Sequence, residues 1–211
     1  MTRTRKPSGT KKLAAKGRKI AKRRVRTRNP RPRFLIICEG AKTEPNYFRA
    51  FRVNADVRGE GMNTVSLVEK TKEISELAKK QGAEYTDVWI VFDSDDFPKE
   101  HFNSAIRKAQ QNGFNAAYSN EAFELWYVLH FQYLDNAITR KQYQEIISRE
   151  MKEPYKKNDI LMYTKLLKYQ KNAIQNAEKL FASHQPNHNP ATDKPCTTVH
   201  LLVKELNKHK H

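Results

Sequence analysis

The stretch "FLIICEGAKTEPNYF", residues 34–48, decides the fold, because five apolar residues lead directly into Glu39 and Gly40. A short, continuous apolar run is typical of a strand that is covered on both faces, as in a parallel sheet. The following "TEPNYFRAFR" predicts a helix, since Thr43 or Glu44 can cap it and Pro45 fits its first turn. A buried strand that leads into a helix is the repeating unit of α/β proteins.

The rest of the chain continues this alternation and then becomes helical. A second strong strand lies in "DVWIVFDSDD" (87–96), and further strands are predicted near 53–57 and in "FNAAYS" (114–119). Helices are predicted over 64–82, 98–113, 121–131, 139–151, 160–182 and 197–208. We predict an α/β fold with a mostly parallel sheet flanked by helices and a C-terminal helical extension. The predicted domains are a disordered basic arm (1–32), an α/β core (33–135) and a helical extension (136–211).

Almost all of the net charge of +17 lies at the N-terminus. Residues 1–33 hold fifteen of the 40 Lys and Arg and no acid, whereas the other 178 residues balance 25 basic against 23 acidic residues. Such a segment cannot bury enough apolar surface to order itself. We interpret it as a nucleic-acid-binding arm; a solubilising tail and a contact with anionic membranes are the alternatives. The candidate binding residues are Arg18, Lys19, Lys22, Arg23, Arg24, Arg26 and Arg28.

Acidic residues follow both strong strands. Glu39 ends the first, and Asp93, Asp95 and Asp96 end the second. Ligand sites of parallel sheets form beyond the carboxyl ends of the strands, and converging carboxylates there favour a hard divalent cation. We therefore predict one or two Mg²⁺ or Mn²⁺ ions on Glu39, Asp93 and Asp95. Singly, each acid also fits a turn, a helix cap or an ion pair, such as Glu39 with Arg33 or Lys42.

Three more residues are candidates for this site. Glu124 lies in "EAFELWYVLHF" (121–131), a helix that is apolar on nearly every side, so its carboxylate must bind metal or pair with Arg or Lys. His130, in the same helix, is a candidate general base, although a hydrogen-bonded core histidine explains it more simply. Glu44 ranks below the others, because a helix start accommodates an acid without any chemistry.

Four motifs together resemble the RloB family of Toprim-related proteins: "CEGAKTEPNYF", "VFDSDD", "SNEAFELWYVLHF" and "PCTTVHLLVKEL", which span roughly residues 33–208. The resemblance implies a Toprim fold, a Mg²⁺-type site and phosphoryl transfer on nucleic acid, in proteins of bacterial restriction and abortive-infection loci. Glu39, Asp93 and Asp95 match the Toprim acids, and Glu124, His130 and His200 match residues of the other motifs. The family also implies an AAA-type ATPase partner of the RloA kind.

These observations favour a metal-dependent nuclease that acts on tRNA, other RNA or DNA as an effector of anti-phage defence. Hydrolysis is preferred over strand passage, since no further domain supplies a tyrosine nucleophile. The main alternative is a non-catalytic nucleic-acid-binding subunit of a defence complex. A DxD phosphatase or sugar-nucleotide transferase fits less well, because the first strand ends on Glu39 and the arm is basic.

The histidines, the cysteines and the hydropathy of the chain bear on zinc binding and on cellular location. A structural zinc site on His184, His188, Cys196 and His200 remains an alternative to a polar loop. Two cysteines are too few for a disulfide framework, and no apolar run has the length of a membrane span. We expect a cytoplasmic protein without a membrane partner, and the sequence leaves open whether it forms a homo-oligomer.

Removing residues 1–32 should weaken binding to nucleic acid and flatten its salt dependence, because each phosphate neutralised by Lys or Arg releases counterions. We expect an affinity loss of about tenfold or more near 0.1 M salt. Fluorescence anisotropy with labelled tRNA and labelled DNA across a salt series measures both quantities, and an unchanged melting temperature controls for the fold. Equal salt slopes for the two proteins would contradict the role of the arm.

Overall fold

The computed structural model describes residues 32–94 and 98–210, without the side chains of Thr64 and Val65. The candidate arm residues between Arg18 and Arg28, and the acids Asp95 and Asp96, lie outside the described residues. Residues from Arg31 onward form one compact unit. The predicted boundary near residue 135 stays an interpretation of the sequence.

Five strands form the sheet: β1 (Phe34–Cys38), β2 (Ala55–Gly59), β3 (Asp87–Asp93), β4 (Asn115–Asn120) and β5 (Cys196–Thr197). The helices are α1 (Thr43–Arg49), α2 (Thr64–Lys80), α3 (Lys99–Gln111), α4 (Glu124–Val128), α5 (Arg140–Met151), α6 (Met162–Leu166), α7 (Gln170–Ser183) and α8 (Val199–Asn207), with a 3-10 turn over Leu167–Tyr169.

The sheet has the strand order β2-β1-β3-β4-β5. The first four strands are parallel, and β5 runs antiparallel to β4. The chain builds outward from β1 in one direction through β2 and then in the other through β3, so the order switches between β1 and β3. In sheets of this kind, ligands bind outside the carboxyl ends of the strands at such a switch point. The predicted α/β fold with a mostly parallel sheet is confirmed.

The apolar run of β1 is buried because its residues supply both faces of the sheet. Phe34, Ile36 and Cys38 belong to one core cluster, whereas Leu35 and Ile37 belong to the other. Because both faces of the strand are covered, its sequence is a continuous run of apolar residues.

Helices cover both faces of the sheet. On one face α2 and α3 pack through Leu67, Val68 and Phe102. On the other face α1, α4, α5, α7 and α8 share the larger core, in which Trp126 of α4 is fully buried. The described helices include none that is long and apolar enough to cross a membrane.

Several element boundaries differ from the sequence prediction. The strand predicted at 53–57 is β2 at Ala55–Gly59, and the helix predicted at 121–131 is confined to Glu124–Val128. The helix predicted over 160–182 is divided by the 3-10 turn. The purely helical pattern predicted after Asn120 is wrong at Cys196–Thr197, because this pair completes the sheet beside β4.

Two histidines of the family motifs lie in the core. His130 is 0% exposed and His200 is 2% exposed. Burial lowers the pKa of each imidazole from 6.5 to about 4, because the charged form loses its hydration. Nδ1–H of His130 donates to the carbonyl of Trp126 at 2.9 Å, and the two rings meet edge to face. These contacts fit the interpretation of His130 as a hydrogen-bonded core histidine.

His130→Gln should make the protein less sensitive to acid. Because the pKa of His130 is lower in the folded state, its contribution to stability is present above pH 6.5 and is lost as pH falls towards 4. At pH 5 this loss amounts to roughly 2 kcal/mol. Glutamine does not titrate and keeps a donor for the Trp126 carbonyl, so urea unfolding at pH 7 and pH 5 should show a smaller decrease for the variant.

The exposed His101 of α3 provides the matched control. His101→Gln should keep the pH dependence of the unmodified protein. If His130→Gln and the unmodified protein lose the same free energy of unfolding between pH 7 and pH 5, His130 is not the acid-sensitive group.

Candidate functional site

Glu39 lies where β1 leaves the sheet. Its amide donates to the carbonyl of Val91 at 2.8 Å, which keeps the backbone against β3 for one more residue. Its carboxylate Oε2 accepts a hydrogen bond from the amide of Asp93 at 3.1 Å. The ends of β1 and β3 are thus joined by an acidic side chain at the switch point of the sheet.

Asp93 is the last residue of β3, and its side chain is 13% exposed. Its Oδ2 accepts a hydrogen bond from the amide of Phe123 at 3.0 Å, so the carboxylate also holds the segment that leads into α4. Asp95, the second acid of the predicted pair, lies outside the described residues.

Glu124 opens α4 and is 3% exposed. The hydroxyl of Tyr155 donates to its Oε1 at 3.3 Å, and Nε of Arg140 lies 3.6 Å from its Oε2. A basic side chain, one of the two kinds of partner proposed for this buried acid, therefore lies beside it.

Arg140 connects the acids of two elements. Its guanidinium lies 3.6 Å from Glu124 and 3.7 Å from Asp93, and its side chain remains 34% exposed. The start of α5 is fixed by a capping box, in which the hydroxyl of Thr139 accepts from the amide of Gln142 and the Gln142 side chain accepts from the amide of Thr139. The cap is visible in the sequence, but the proximity of Arg140 to the acids depends on how α5 packs.

Glu44 is buried, although the sequence alone places it below the other candidate acids. It is 8% exposed, and its carboxylate lies against Gly40, where a Cβ atom would collide with it. Among the described residues, its Oε2 has no hydrogen-bond partner. Burial raises the pKa of Glu44, and the negative charge of Glu124 raises it further. This coupling indicates that Glu44 belongs to the same electrostatic cluster.

A basic loop lies beside the acids. Asn158 anchors it to α1, because Thr43 Oγ1 donates to its side chain at 2.8 Å and Asn46 Nδ2 donates to its carbonyl at 3.2 Å. The loop also carries Tyr155 and the exposed Lys156 and Lys157. The positive charge of Lys157 acts against the rise in the pKa of Glu44. The described residues therefore supply cations next to the acids, independently of the N-terminal arm.

Two of the residues considered for zinc, His188 and Cys196, belong to a hydrogen-bonded cluster with Asp193 and Tyr118. His188 Nδ1 lies 2.6 Å from Asp193, and its Nε2 lies 2.7 Å from the hydroxyl of Tyr118 and 3.9 Å from Cys196 Sγ. The ring of Phe181 lies against both His188 and His200, with centroid distances of 5.0 and 6.1 Å. Within residues 32–94 and 98–210, no group of three or more His, Cys, Asp or Glu has the spacing of a preformed metal site.

A comparison with protein-family models identifies the family of the chain. A family model described as RloB-like protein matches residues 34–206, which is most of the chain and leaves out the basic arm. The chain belongs to the RloB-like family. No curated protein and no solved structure matches it. In this RloB-like protein the match includes Glu39, Asp93, Glu124 and Arg140, so the acidic cluster lies within the family domain.

Arg140→Ala should destabilise this RloB-like protein, because it removes the guanidinium that faces Asp93 and Glu124. We expect a loss of about 1–2 kcal/mol in the free energy of unfolding, less than for a fully buried pair because the arginine is partly exposed. Glu124→Gln should cost less in the Arg140→Ala background, with a coupling of about 1 kcal/mol. Urea unfolding of the four proteins measures this cycle.

Arg149, which pairs with the neighbouring Glu150 on α5, is the matched control. Its side chain is 64% exposed, and Arg149→Ala should change stability by no more than about 0.5 kcal/mol. Strict additivity of Arg140→Ala and Glu124→Gln would show that the two side chains do not interact energetically.

Proposed function

We propose that this RloB-like protein is a metal-dependent phosphodiesterase that hydrolyses nucleic acid, as its resemblance to Toprim proteins implies. One observation carries the proposal: the carboxylate of Glu39 reaches across the switch point of the sheet and hydrogen-bonds the amide of Asp93. Glu124 joins the same cluster through Arg140. Acids at this edge, where parallel sheets bind ligands, favour chemistry over a purely structural role.

The acids fit a hard divalent cation in chemical type. Glu39, Asp93 and Glu124 offer the oxygen ligands that Mg²⁺ and Mn²⁺ prefer, with Asp95 as the next candidate. The buried Oε2 of Glu44, which lacks a hydrogen-bond partner among the described residues, is a further oxygen that additional positive charge would stabilise. A bound ion would supply Lewis-acid polarisation of a phosphate and activation of a water molecule.

The basic residues of the chain would hold the polyanion. The partly exposed guanidinium of Arg140 can donate to a phosphate oxygen beside the acids. Lys156 and Lys157 extend the positive surface along the loop, and the N-terminal arm would add affinity that does not depend on base sequence. No side chain needs to act as the nucleophile, since water serves in hydrolysis.

A non-catalytic nucleic-acid-binding subunit is the second candidate. It is favoured by the structural contacts of the acids, because Asp93 holds the amide of Phe123 and Arg140 already faces two carboxylates. Either function suits a defence system in which an AAA-type ATPase of the RloA kind is the partner, as the family resemblance implies.

Asp93→Asn separates the two functions. Asparagine can still accept the hydrogen bond from Phe123 but lacks the charge that a metal-dependent reaction requires. On total tRNA and on DNA with Mn²⁺ or Mg²⁺, we expect cleavage to fall by about a hundredfold or more, with binding retained. Gel assays measure cleavage, and anisotropy measures binding.

Asp87→Asn is the matched control, because Asp87 lies at the opposite end of the same strand. It should leave cleavage unchanged. Cleavage that persists in Asp93→Asn would exclude the proposed role of this acid. Binding by the unmodified protein without cleavage of either substrate, with either ion, would favour the non-catalytic subunit.

A further inference from the structure

A cavity of 390 Å³ opens at the carboxyl ends of β3 and β4. Ser94, which directly follows Asp93, forms part of its wall, and the other wall residues come from α3, the end of β4 with the residue after it, and the segment before β5. The lining residues are Ser94, Lys99, Phe102, Asn120, Glu121, Ala191, Thr192 and Lys194.

Two segments connect the cavity wall to Asp93, namely Ser94 and the residues that follow β4. Ser94 donates its amide to the carbonyl of Ser119 at 3.0 Å and its hydroxyl to Asn120 Oδ1 at 2.8 Å. Two residues after Glu121, the amide of Phe123 donates to Asp93. The wall residue Ser94 thus directly follows the acid proposed for catalysis, and the wall residue Glu121 leads into the segment that this acid holds.

Buried polar contacts hold the far wall, residues 190–194, in place. Asn120 Nδ2 donates to the carbonyl of Pro190 at 3.0 Å. His188 bridges Asp193 and the hydroxyl of Tyr118, with distances of 2.6 and 2.7 Å. The cluster first considered for zinc thus fixes a cavity wall to β4, and a wall fixed in this way is suited to recognition.

The lining combines charge, hydrogen-bonding groups and an apolar surface. Among the described lining residues, Lys99 and Lys194 are accompanied by the acid Glu121, which forms an ion pair with Lys194. Phe102 is 1% exposed, and together with Ala191 it provides the apolar part. The volume lies within the range of about 300–1,000 Å³ that is usual for small-ligand sites and exceeds what a phosphate ion alone would fill.

We propose that this cavity binds one nucleotide of the nucleic-acid strand, with its phosphate at Lys99 and Lys194 and its base beside the hydroxyl groups of Ser94 and Thr192. The proposal rests on the proposed function and narrows its substrate class. A base can enter such a cavity only when it is unstacked and unpaired, as in single-stranded RNA, loops and ends. The protein is therefore a nuclease of single-stranded segments, and duplexes are poorer substrates.

Mononucleotide binding without metal tests the cavity directly. Isothermal titration of the full chain with nucleoside 5′-monophosphates, and in parallel with inorganic phosphate, should show weaker binding of phosphate. Combining Lys99→Ala with Lys194→Gln should weaken monophosphate binding by about tenfold, since hydrogen bonds to charged groups are lost. Thr192→Trp, a change at an exposed wall residue, should abolish it by filling the cavity.

The matched control combines Lys72→Ala with Lys80→Gln on the exposed surface of α2, which removes the same charge outside the cavity. Monophosphate binding that is equal in the control, the double lysine variant and Thr192→Trp would overturn the proposal, because it would assign binding to the basic arm. Absence of binding to the unmodified protein would overturn it as well.

Cleavage assays distinguish a failure of the nucleotide site from a failure of the proposed nuclease function. On single-stranded RNA, Thr192→Trp should raise KM, whereas Asp93→Asn should lower kcat. A protein that binds monophosphates in the cavity but cleaves nothing would refute the nuclease proposal and leave the nucleotide site intact. Cleavage with equal KM in Thr192→Trp and in the unmodified protein would refute the nucleotide site alone.

Discussion

The meeting of carboxylates at the carboxyl ends of β1 and β3 is the constraint on which the rest of the site depends. Glu39 reaches the amide of Asp93, and Asp93 in turn binds the amide of Phe123. Carboxylates that converge at one edge of a sheet repel one another. The guanidinium of Arg140 faces both Asp93 and Glu124 and offsets the repulsion between the acids. Structural and functional demands therefore fall on the same side chains.

The sequence predicts the parts of this arrangement that follow from local periodicity. The continuous apolar run of β1 indicates a strand buried on both faces, and Glu39 and Asp93 follow from their positions at strand ends. Because parallel strands place equivalent ends at one edge, their proximity can be inferred without coordinates. The burial of Glu124 follows similarly from its apolar helix.

Other parts depend on long-range packing and could not be predicted. Arg140 and Tyr155 reach Glu124 from segments whose positions are set by the packing of α5 and of the loop after it. No pattern within either segment indicates that approach. The sequence pattern also does not indicate the break between α6 and α7. It does not indicate β5 either, because a strand of two residues has no measurable periodicity. The enclosure of Glu44 beneath Gly40 also arises from tertiary contact.

The shortness of β5 has a consequence for how the chain reaches its native state. Ser119 and Thr197, which pair across β4 and β5, are 78 residues apart in sequence. Until that distant segment arrives, β4 presents an open edge of unsatisfied backbone groups, a template for pairing between molecules. Contacts of such large sequence separation also form slowly, because a long loop must first close. Incompletely synthesised or proteolytically shortened chains that lack residues 196–197 therefore keep the end of β4 unpaired on this side.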